Sequence, residues 1–535
     1  MKKITIILAI LISFTAFSQQ DAWVYFNAKP NAAAFFSNPL SELNQRSLDR
    51  RIAQNIPLDN RDAPIHQAYI NQITASTGIT VMAKSKWLNA LHIRGSVANI
   101  NALTANSFVS NVQFADYSLN PNSNKQTAST KNYNQINTEN TAVNFNYGGS
   151  NNQISMLNGH LLHQQNYTGA GKIIAVMDAG FPAVNTTQPF ARLRDNNKIL
   201  GGYDFFLRSP NIYTSNSHGT MVLSTMGGYT DNELVGTAPD AQYYLFITEN
   251  APTENPIEES LWVEAAEEAD RLGVDIINTS LGYFDYDNPA YSHTYSRMNG
   301  NTTFISRGAN IAFTRGMIVV VSAGNSGNSA NPNIAAPADA TNVLTVGAVD
   351  ANRNYATFSS RGPSFDGRTK PDVMARGLAS TVALTNGTIS TASGTSFSGP
   401  IMAGMVACLW QALPNKSAAQ LMQIIRQSSD NFSAPNATLG YGIPDFAAAV
   451  NANLSDTTNA TTDFKVYPNP TTTAINFKLP TNSNNTELQI FNSVGQLMIQ
   501  KKCENTLETI SLENFPSGIY FYAINSNQTG KFIKY

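Results

Sequence analysis

Through the middle of the chain, short and nearly continuous apolar runs alternate with longer amphipathic ones. Residues 172–177, 242–248, 274–277 and 317–321 are the apolar runs. Runs of this length without polar alternation read as strands buried on both faces of a parallel sheet. Between them, residues 257–272 place Leu261, Ala265 and Ala269 on one face and glutamates on the other, the period of a surface helix. Residues 154–165 read as a helix ahead of the first strand. Pro400, followed by the apolar run 401–410 and no proline until Pro414, reads as a helix that begins close to Ser396. Strands alternating with helices predict an α/β domain. Residues 283–316, rich in Tyr, Asn and Arg, interrupt the pattern and read as a surface loop able to shape a neighbouring cleft.

The flanks follow other rhythms. Residues 22–26, 79–82, 90–95 and 109–114 read as strands, and 64–77 and 97–105 as helices, which makes a small α/β unit. The polar stretch 120–144 has little apolar periodicity and suits a cut region. After a polar linker at 453–463, alternation in 464–467, 475–479, 487–491 and from Ile519 onward predicts a small β-sandwich. The domains expected are therefore 1–18, 19–144, 145–452 and 464–535, with the linker between the last two.

Composition narrows the setting. The 535 residues suggest about three folded units. Only 13% are charged and the net charge is -2, so no electrostatic field points to nucleic acid. Lys2 and Lys3, the apolar stretch 4–17 and the small-residue pattern Ala16-Phe17-Ser18 read as a secretory signal peptide. Two cysteines, Cys408 and Cys503, fit an exported protein without a disulfide framework.

Four residues carry candidate chemistry. Ser396, in Gly394-Thr395-Ser396-Phe397-Ser398-Gly399-Pro400, sits at a helix start, where unpaired N–H groups favour a developing oxyanion. A serine nucleophile needs a base, and the base needs an orienting acid. Of the six histidines, His218 alone opens an apolar helix-like run directly before a glycine, Gly219. His66 and His92 lie in the N-terminal unit. His160 and His163 read as structural, and His293 lies in the polar insertion without organised neighbours. Asp178 ends the first buried run, where open α/β sheets place their sites. Asn325, in Ser322-Ala323-Gly324-Asn325, follows another such run and can donate an amide N–H.

The order Asp178, His218, Ser396 is that of subtilisin, and the chain resembles the subtilisin-like serine proteases from about residue 158 to 450. The likeness extends to Gly236-Thr237-Ala238-Pro239, Ile277-Asn278-Thr279-Ser280-Leu281-Gly282, Val346-Gly347-Ala348-Val349-Asp350 and Phe358-Ser359-Ser360-Arg361-Gly362-Pro363. It implies an α/β, three-layer domain with a mostly parallel sheet, preceded by a propeptide that assists folding and blocks the cleft. It also implies Ser396 as nucleophile, His218 as general base and Asp178 as orienting acid. Asn325 and the Ser396 N–H would form the oxyanion hole. Ser280, Leu281 and Gly282 would pair with the substrate backbone, and Ser322, Ala323 and Gly324 would wall the opposite side of the specificity pocket.

Ala179, Gly399 and Arg376 depart from the family pattern; Ala179 removes a hydroxyl near the carboxylate. The chemistry requires no cofactor. Structural calcium is common in the family, but no ligand loop is distinct enough to name. Tyr467-Pro468-Asn469-Pro470, Asn492-Ser493-Val494-Gly495-Gln496, Pro516-Ser517-Gly518-Ile519-Tyr520, Lys531 and Lys534 resemble the C-terminal sorting domain of type IX secretion substrates of Bacteroidetes. The expectation is a secreted or surface-attached monomeric endopeptidase made as a zymogen. Its partners would be protein substrates and the export machinery, with no nucleic acid. The alternative is an inactive subtilase-fold binding protein.

Overall fold

The apolar runs of the middle region become adjacent strands of one sheet, and the two flanking patterns fold around their own cores. The computed structural model describes residues 19–120, 144–458, 465–479, 486–493, 495–503, 505, 507–524 and 528–535. The expected signal peptide, most of the cut region, and residues 459–463 of the expected linker lie outside the described residues.

The N-terminal unit contains β1 (Gln20–Phe26), α1 (Ala32–Ser37), α2 (Gln45–Ala53), α3 (Gln67–Thr74), β2 (Ile79–Ser85), β3 (Ala90–Gly95), α4 (Val97–Ala102) and β4 (Val109–Phe114). Its strands form an antiparallel sheet in the order β2-β3-β1-β4. Alternation along β1 divides two cores. Ala22, Val24 and Phe26 face the unit's own helices with Leu91, Ile93 and Ile100. Trp23 points the other way, into the core of the following domain.

That domain runs through α5 (Asn151–Ser155), α6 (Gly159–Gln164), β5 (Ile173–Asp178), β6 (Ile199–Asp204) after the short α7 (Ala191–Asp195), and α8 (His218–Gly227). A small hairpin, β7 (Tyr229–Thr230) and β8 (Leu234–Val235), precedes β9 (Gln242–Ile247), α9 (Ile257–Arg271) and β10 (Ile276–Thr279). Then come α10 (Phe304–Thr314), β11 (Ile318–Ser322), β12 (Leu344–Val349), β13 (Val373–Arg376), the hairpin β14 (Ser380–Ala383) and β15 (Ile389–Ala392), α11 (Thr395–Ala412), α12 (Ala418–Gln427) and α13 (Phe446–Thr458). The seven-stranded sheet has the order β13-β12-β11-β10-β5-β9-β6 and is parallel throughout. Every residue of β5, β10, β11 and β12 is buried, because helices cover both faces, α9 and α10 on one and α8 and α11 on the other. This is the three-layer α/β arrangement expected.

The N-terminal sheet packs on α9 and α10. Trp23 stacks on Phe304, with ring centroids 5.2 Å apart, and donates its indole N–H to Ser260 at 2.8 Å. The buried Glu267 carboxylate accepts from the Ser85 hydroxyl (2.6 Å) and from the Lys86 (3.0 Å) and Trp87 (2.9 Å) amides. His92 lies between Asp21 and Ser260.

Three local expectations are corrected. Residues 154–165 form no single helix, because Asn158 takes a left-handed conformation (φ 52°) and separates α5 from α6. Segment 283–316 is more than a surface loop. Phe304, Ile305, Ile311 and Ala312 give it the buried face of α10, and His293 within it is buried against Glu259 at 2.9 Å. Residues 453–458 prolong α13, since no glycine or proline stops the helix there.

The C-terminal unit, taken by itself, is two sheets around one core. Strands β16 (Lys465–Tyr467), β17 (Ala474–Lys478) and β20 (Leu507–Ser511) make one; β18 (Thr486–Phe491), β19 (Leu497–Cys503), β21 (Gly518–Ile524) and β22 (Gln528–Lys534) make the other. Ile475, Phe477, Leu488, Ile490 and Phe532 fill the space between them.

Truncating a side chain at the centre of the main sheet should be costly. Ile277→Ala on β10, fully buried, is expected to destabilise the chain by about 2–5 kcal/mol. Denaturant unfolding of a chain carrying Ser396→Ala as background checks this. A loss below about 1 kcal/mol would contradict the packing described.

Candidate active site

All four chemistry-bearing residues lie at the carboxyl edge of the parallel sheet. Asp178 ends β5, His218 is the first residue of α8, Asn325 follows β11, and Ser396 is in the first turn of α11. Parallel strands flanked by helices put strand C-termini and helix N-termini on one edge, so these residues converge by topology.

Gly219 permits the closest of these approaches. A Cβ there would lie 2.5 Å from the Gly180 carbonyl oxygen and 3.0 Å from Asp178 Cβ. Without one, α8 descends onto the end of β5, and His218 Nδ1 meets Asp178 Oδ1 at 2.8 Å. Asn216 Oδ1 accepts the His218 N–H at 2.9 Å and fixes the start of the helix. Asp178 is fully buried. Its Oδ1 also accepts the Ala179 N–H at 2.8 Å. Its Oδ2 has no protein donor among the described residues, in keeping with the hydroxyl that Ala179 lacks.

Burial alone would lower the His218 pKa. The charge of Asp178 and its hydrogen bond outweigh that effect and hold the imidazole above its ordinary value. With Nδ1 engaged, Nε2 remains to exchange a proton. The His218 ring lies 6.1 Å from that of Phe397, which places it against the first turn of α11.

Ser396 Oγ, largely buried, is oriented toward the Ser280 carbonyl at 3.4 Å. The Ser280 hydroxyl donates in return to the Ser396 carbonyl at 3.0 Å. Pro400 explains that acceptor. It lies four residues on in α11 and has no N–H to give, so the Ser396 carbonyl lacks its helical partner. The proline therefore leaves α11 unbroken and couples it to the chain beyond β10.

Asn325 is held by Thr395. Its Oδ1 accepts the Thr395 N–H (2.9 Å) and hydroxyl (3.0 Å), and the Gly324 N–H reaches Thr395 Oγ1 at 3.1 Å. The amide nitrogen is thereby turned outward. A Cβ built on Gly394 would lie 3.5 Å from Asn325 Nδ2 and 3.7 Å from the Ser396 nitrogen. Two N–H donors thus border one small volume beside Ser396.

The expected substrate walls flank that volume. Beyond Thr279 the chain passes through Ser280, half-buried Leu281 and exposed Gly282, and is anchored again where Tyr283 bridges Ala336. Opposite, the Ser322 hydroxyl donates to the Thr395 carbonyl at 2.8 Å, and Ala323 is buried. The sequence reading missed Thr395, although it directly precedes Ser396.

His163, like His92 and His293, is held in a buried hydrogen-bond network. His163 is buried between the Tyr147 hydroxyl (2.9 Å) and the Thr237 carbonyl (3.0 Å), and burial lowers its pKa to about 4. Among the described residues, Glu249, Glu254 and Glu258 alone bring three candidate metal-ligand atoms within 4.8 Å of one another. Burial, with repulsion from Glu254 and Asp287, pushes Glu258 up to about 8, and burial, with repulsion from Asp287, pushes Glu254 up to about 7. Nothing else marks it as a metal site, and no calcium ligand is assigned.

The imidazole's titration can be observed directly. In the Ser396→Ala chain, NMR should give His218 a midpoint above about 6.5, with the cation below it and the neutral ring above. Asp178→Asn should lower that midpoint. An unchanged midpoint would mean that Asp178 does not set the ring's basicity.

Comparisons with known proteins point to one family for the central region. The sequence profile of the "Subtilase family" matches residues 169–442, about half of the chain. "Peptidase S8 propeptide domain, Bacteroidota" matches residues 21–133, and "Secretion system C-terminal sorting domain" matches 465–535. Subtilisin DY of Bacillus licheniformis is 29% identical over 280 residues, 52% of this chain and 90% of its own. Subtilisin BL of Lederbergia lenta is 29% identical over 297 residues, 55% and 97% respectively. The thermophilic serine proteinase of Bacillus sp. (strain AK1) is 30% identical over 278 residues, 51% and 60%. No helix among the described residues is long and apolar enough to cross a membrane. With propeptide, subtilase and sorting segments in that order, the chain belongs to the subtilase family, as a serine-type endopeptidase that acts on proteins and carries the sorting segment of type IX secretion.

Proposed function

We infer that the chain hydrolyses peptide bonds through an acyl-enzyme on Ser396, and that it is made as a zymogen. The observation that carries this reading is the Asp178–His218 contact of 2.8 Å beside a serine bordered by two converging N–H donors. Ser396 Oγ–H gives its proton to His218 Nε2 as Oγ bonds to the scissile carbonyl carbon. The carbonyl oxygen becomes an oxyanion and accepts from Asn325 Nδ2 and the Ser396 N–H. The C–N bond then breaks, and His218 returns the proton to the leaving amine. Water, deprotonated by the same imidazole, releases the acyl group.

An extended substrate would add as a strand along Ser280, Leu281 and Gly282, with Ser322, Ala323 and Gly324 across the pocket. No cofactor enters these steps. A monomer suffices, since one chain supplies every group.

Ser396→Ala should lower turnover by about 10⁴ to 10⁶ with the fold intact; hydrolysis near the wild-type rate would sink the assignment. Asn325→Ala should lower kcat by about 10² to 10³ with little change in KM. An effect on KM alone would remove Asn325 from oxyanion stabilisation. Intact mass and N-terminal sequencing of wild type beside Ser396→Ala test the zymogen reading, which expects the segment before about residue 144 to be lost from the wild type alone. Labelling by a serine-reactive fluorophosphonate separates this reading from that of an inactive binding protein.

A further inference from the structure

The N-terminal unit touches the peptidase domain a second time, away from the surface that its sheet covers. Helix α2 carries Arg46 and Arg50, followed at its C-cap by Gln54, each four residues apart and so on one face. Arg46 donates to the Gly273 carbonyl (2.8 Å) and forks onto Asp275 at 3.2 and 2.7 Å. Arg50 donates to the carbonyls of Val274 and Arg315 and to Asp270. Gln54 donates to the Gly316 carbonyl at 2.8 Å and accepts the Ala418 N–H at 2.9 Å.

Apart from the Gly171 carbonyl ahead of β5, which Arg46 also reaches at 2.8 Å, these acceptors belong to two equivalent places, the turns after α9 and after α10. Each turn has a left-handed glycine, Gly273 (φ 75°) and Gly316 (φ 88°), and leads into a central strand, β10 or β11. Carbonyls at helix C-termini lack intrahelical donors, and the helix dipole there favours cations. A stripe of two arginines and a glutamine supplies both donors and charge.

A buried network reinforces the stripe. Arg51 pairs with Asp270 at 2.6 Å and Asp62 at 2.8 Å, and Arg315 pairs with Asp62 at 3.0 Å and Asp59 at 2.8 Å. Arg50, Arg51, Asp62, Asp270 and Arg315 are all buried. The two turns feed the amino ends of β10 and β11, whereas the candidate active site lies at their carboxyl ends. The contact therefore cannot obstruct the cleft.

We propose that α2 is a second docking element, independent of the cleft, whose Arg46–Arg50–Gln54 stripe clasps the turns into β10 and β11 and keeps the N-terminal unit bound after the chain is cut. The surface it fits is a pair of helix C-termini edged by Asp270 and Asp275, and its partner is a helix with arginines four apart. Truncating one member of a desolvated, hydrogen-bonded charge pair acts mainly on the dissociation rate.

The test uses the full-length chain and follows scission by mass and peptide hydrolysis in the same sample. Its activity arm rests on the peptidase reading above. In the wild type the severed N-terminal unit should co-elute with the peptidase domain, and activity should lag scission. Arg46→Met with Arg50→Met should shorten that lag at least tenfold and abolish co-elution. Arg46→Ala, at the partly exposed end of the stripe, should act in the same direction and carries the test if the double variant does not fold. Ile52→Ser, 73% exposed on the same helix, should change neither.

A wild type without lag or co-elution, or variants matching the wild type, would overturn the proposal. If no chain is cut or labelled by the fluorophosphonate, the peptidase reading has failed instead. Amide exchange in uncut Ser396→Ala chains then decides the docking alone. Residues 272–276 and 315–318 should exchange at least tenfold faster with the arginine variants, and equal protection would overturn it.

Discussion

A carboxylate with no solvent exposure stands at the end of β5, and much of the architecture follows from accommodating it. Removing an ion from water costs several kcal/mol unless it is paired and hydrogen-bonded. Asp178 obtains one hydrogen bond from its neighbour's backbone and one from His218. The second requires a helix to start against the strand end, which a side chain at position 219 would prevent. The charge that demands the imidazole also raises its basicity, so stability at this point and basicity of the ring arise from one contact.

A similar economy governs the serine. A proline inside α11 frees a carbonyl, and the hydroxyl of Ser280 occupies it. The residue expected to begin the substrate-pairing segment is thus tied to the residue expected to attack the substrate. Thr395 does the same for Asn325, using its amide and hydroxyl to fix Oδ1 so that the other end of the side chain is available. Neighbours in sequence take different tasks because the first turn of a helix presents its free N–H groups in several directions.

These relations were unevenly legible in the sequence. Strands buried on both faces announce themselves as unbroken apolar runs, so β5, β9, β10 and β11 and the residues at their ends could be read. Gly219 was readable as a point of close approach. Helix α10 was not, because its apolar positions lie in a segment dominated by Tyr, Asn and Arg. The break between α5 and α6 depends on one asparagine taking a left-handed conformation that many asparagines avoid. His293 looked isolated because its partner, Glu259, lies 34 positions earlier. Contacts such as Arg50 with Asp270 span 220 residues, and no local pattern marks them.

A parallel sheet has two unlike edges, and this chain places different work on each. Helix N-termini and strand C-termini gather on one edge, where positive dipole ends suit an oxyanion and a nucleophile. Helix C-termini and strand N-termini gather on the other, where bare carbonyls and carboxylates suit arginines. The N-terminal unit spans the covering helices and reaches the second edge with α2. Its contact there is polar and directional, made of hydrogen bonds from Arg46, Arg50 and Gln54. A purely apolar contact would tolerate a slip, because hydrophobic burial has little directional preference. An arginine fork on carbonyls and a carboxylate does not tolerate one, so these bonds hold α2 at a single position on the turns into β10 and β11.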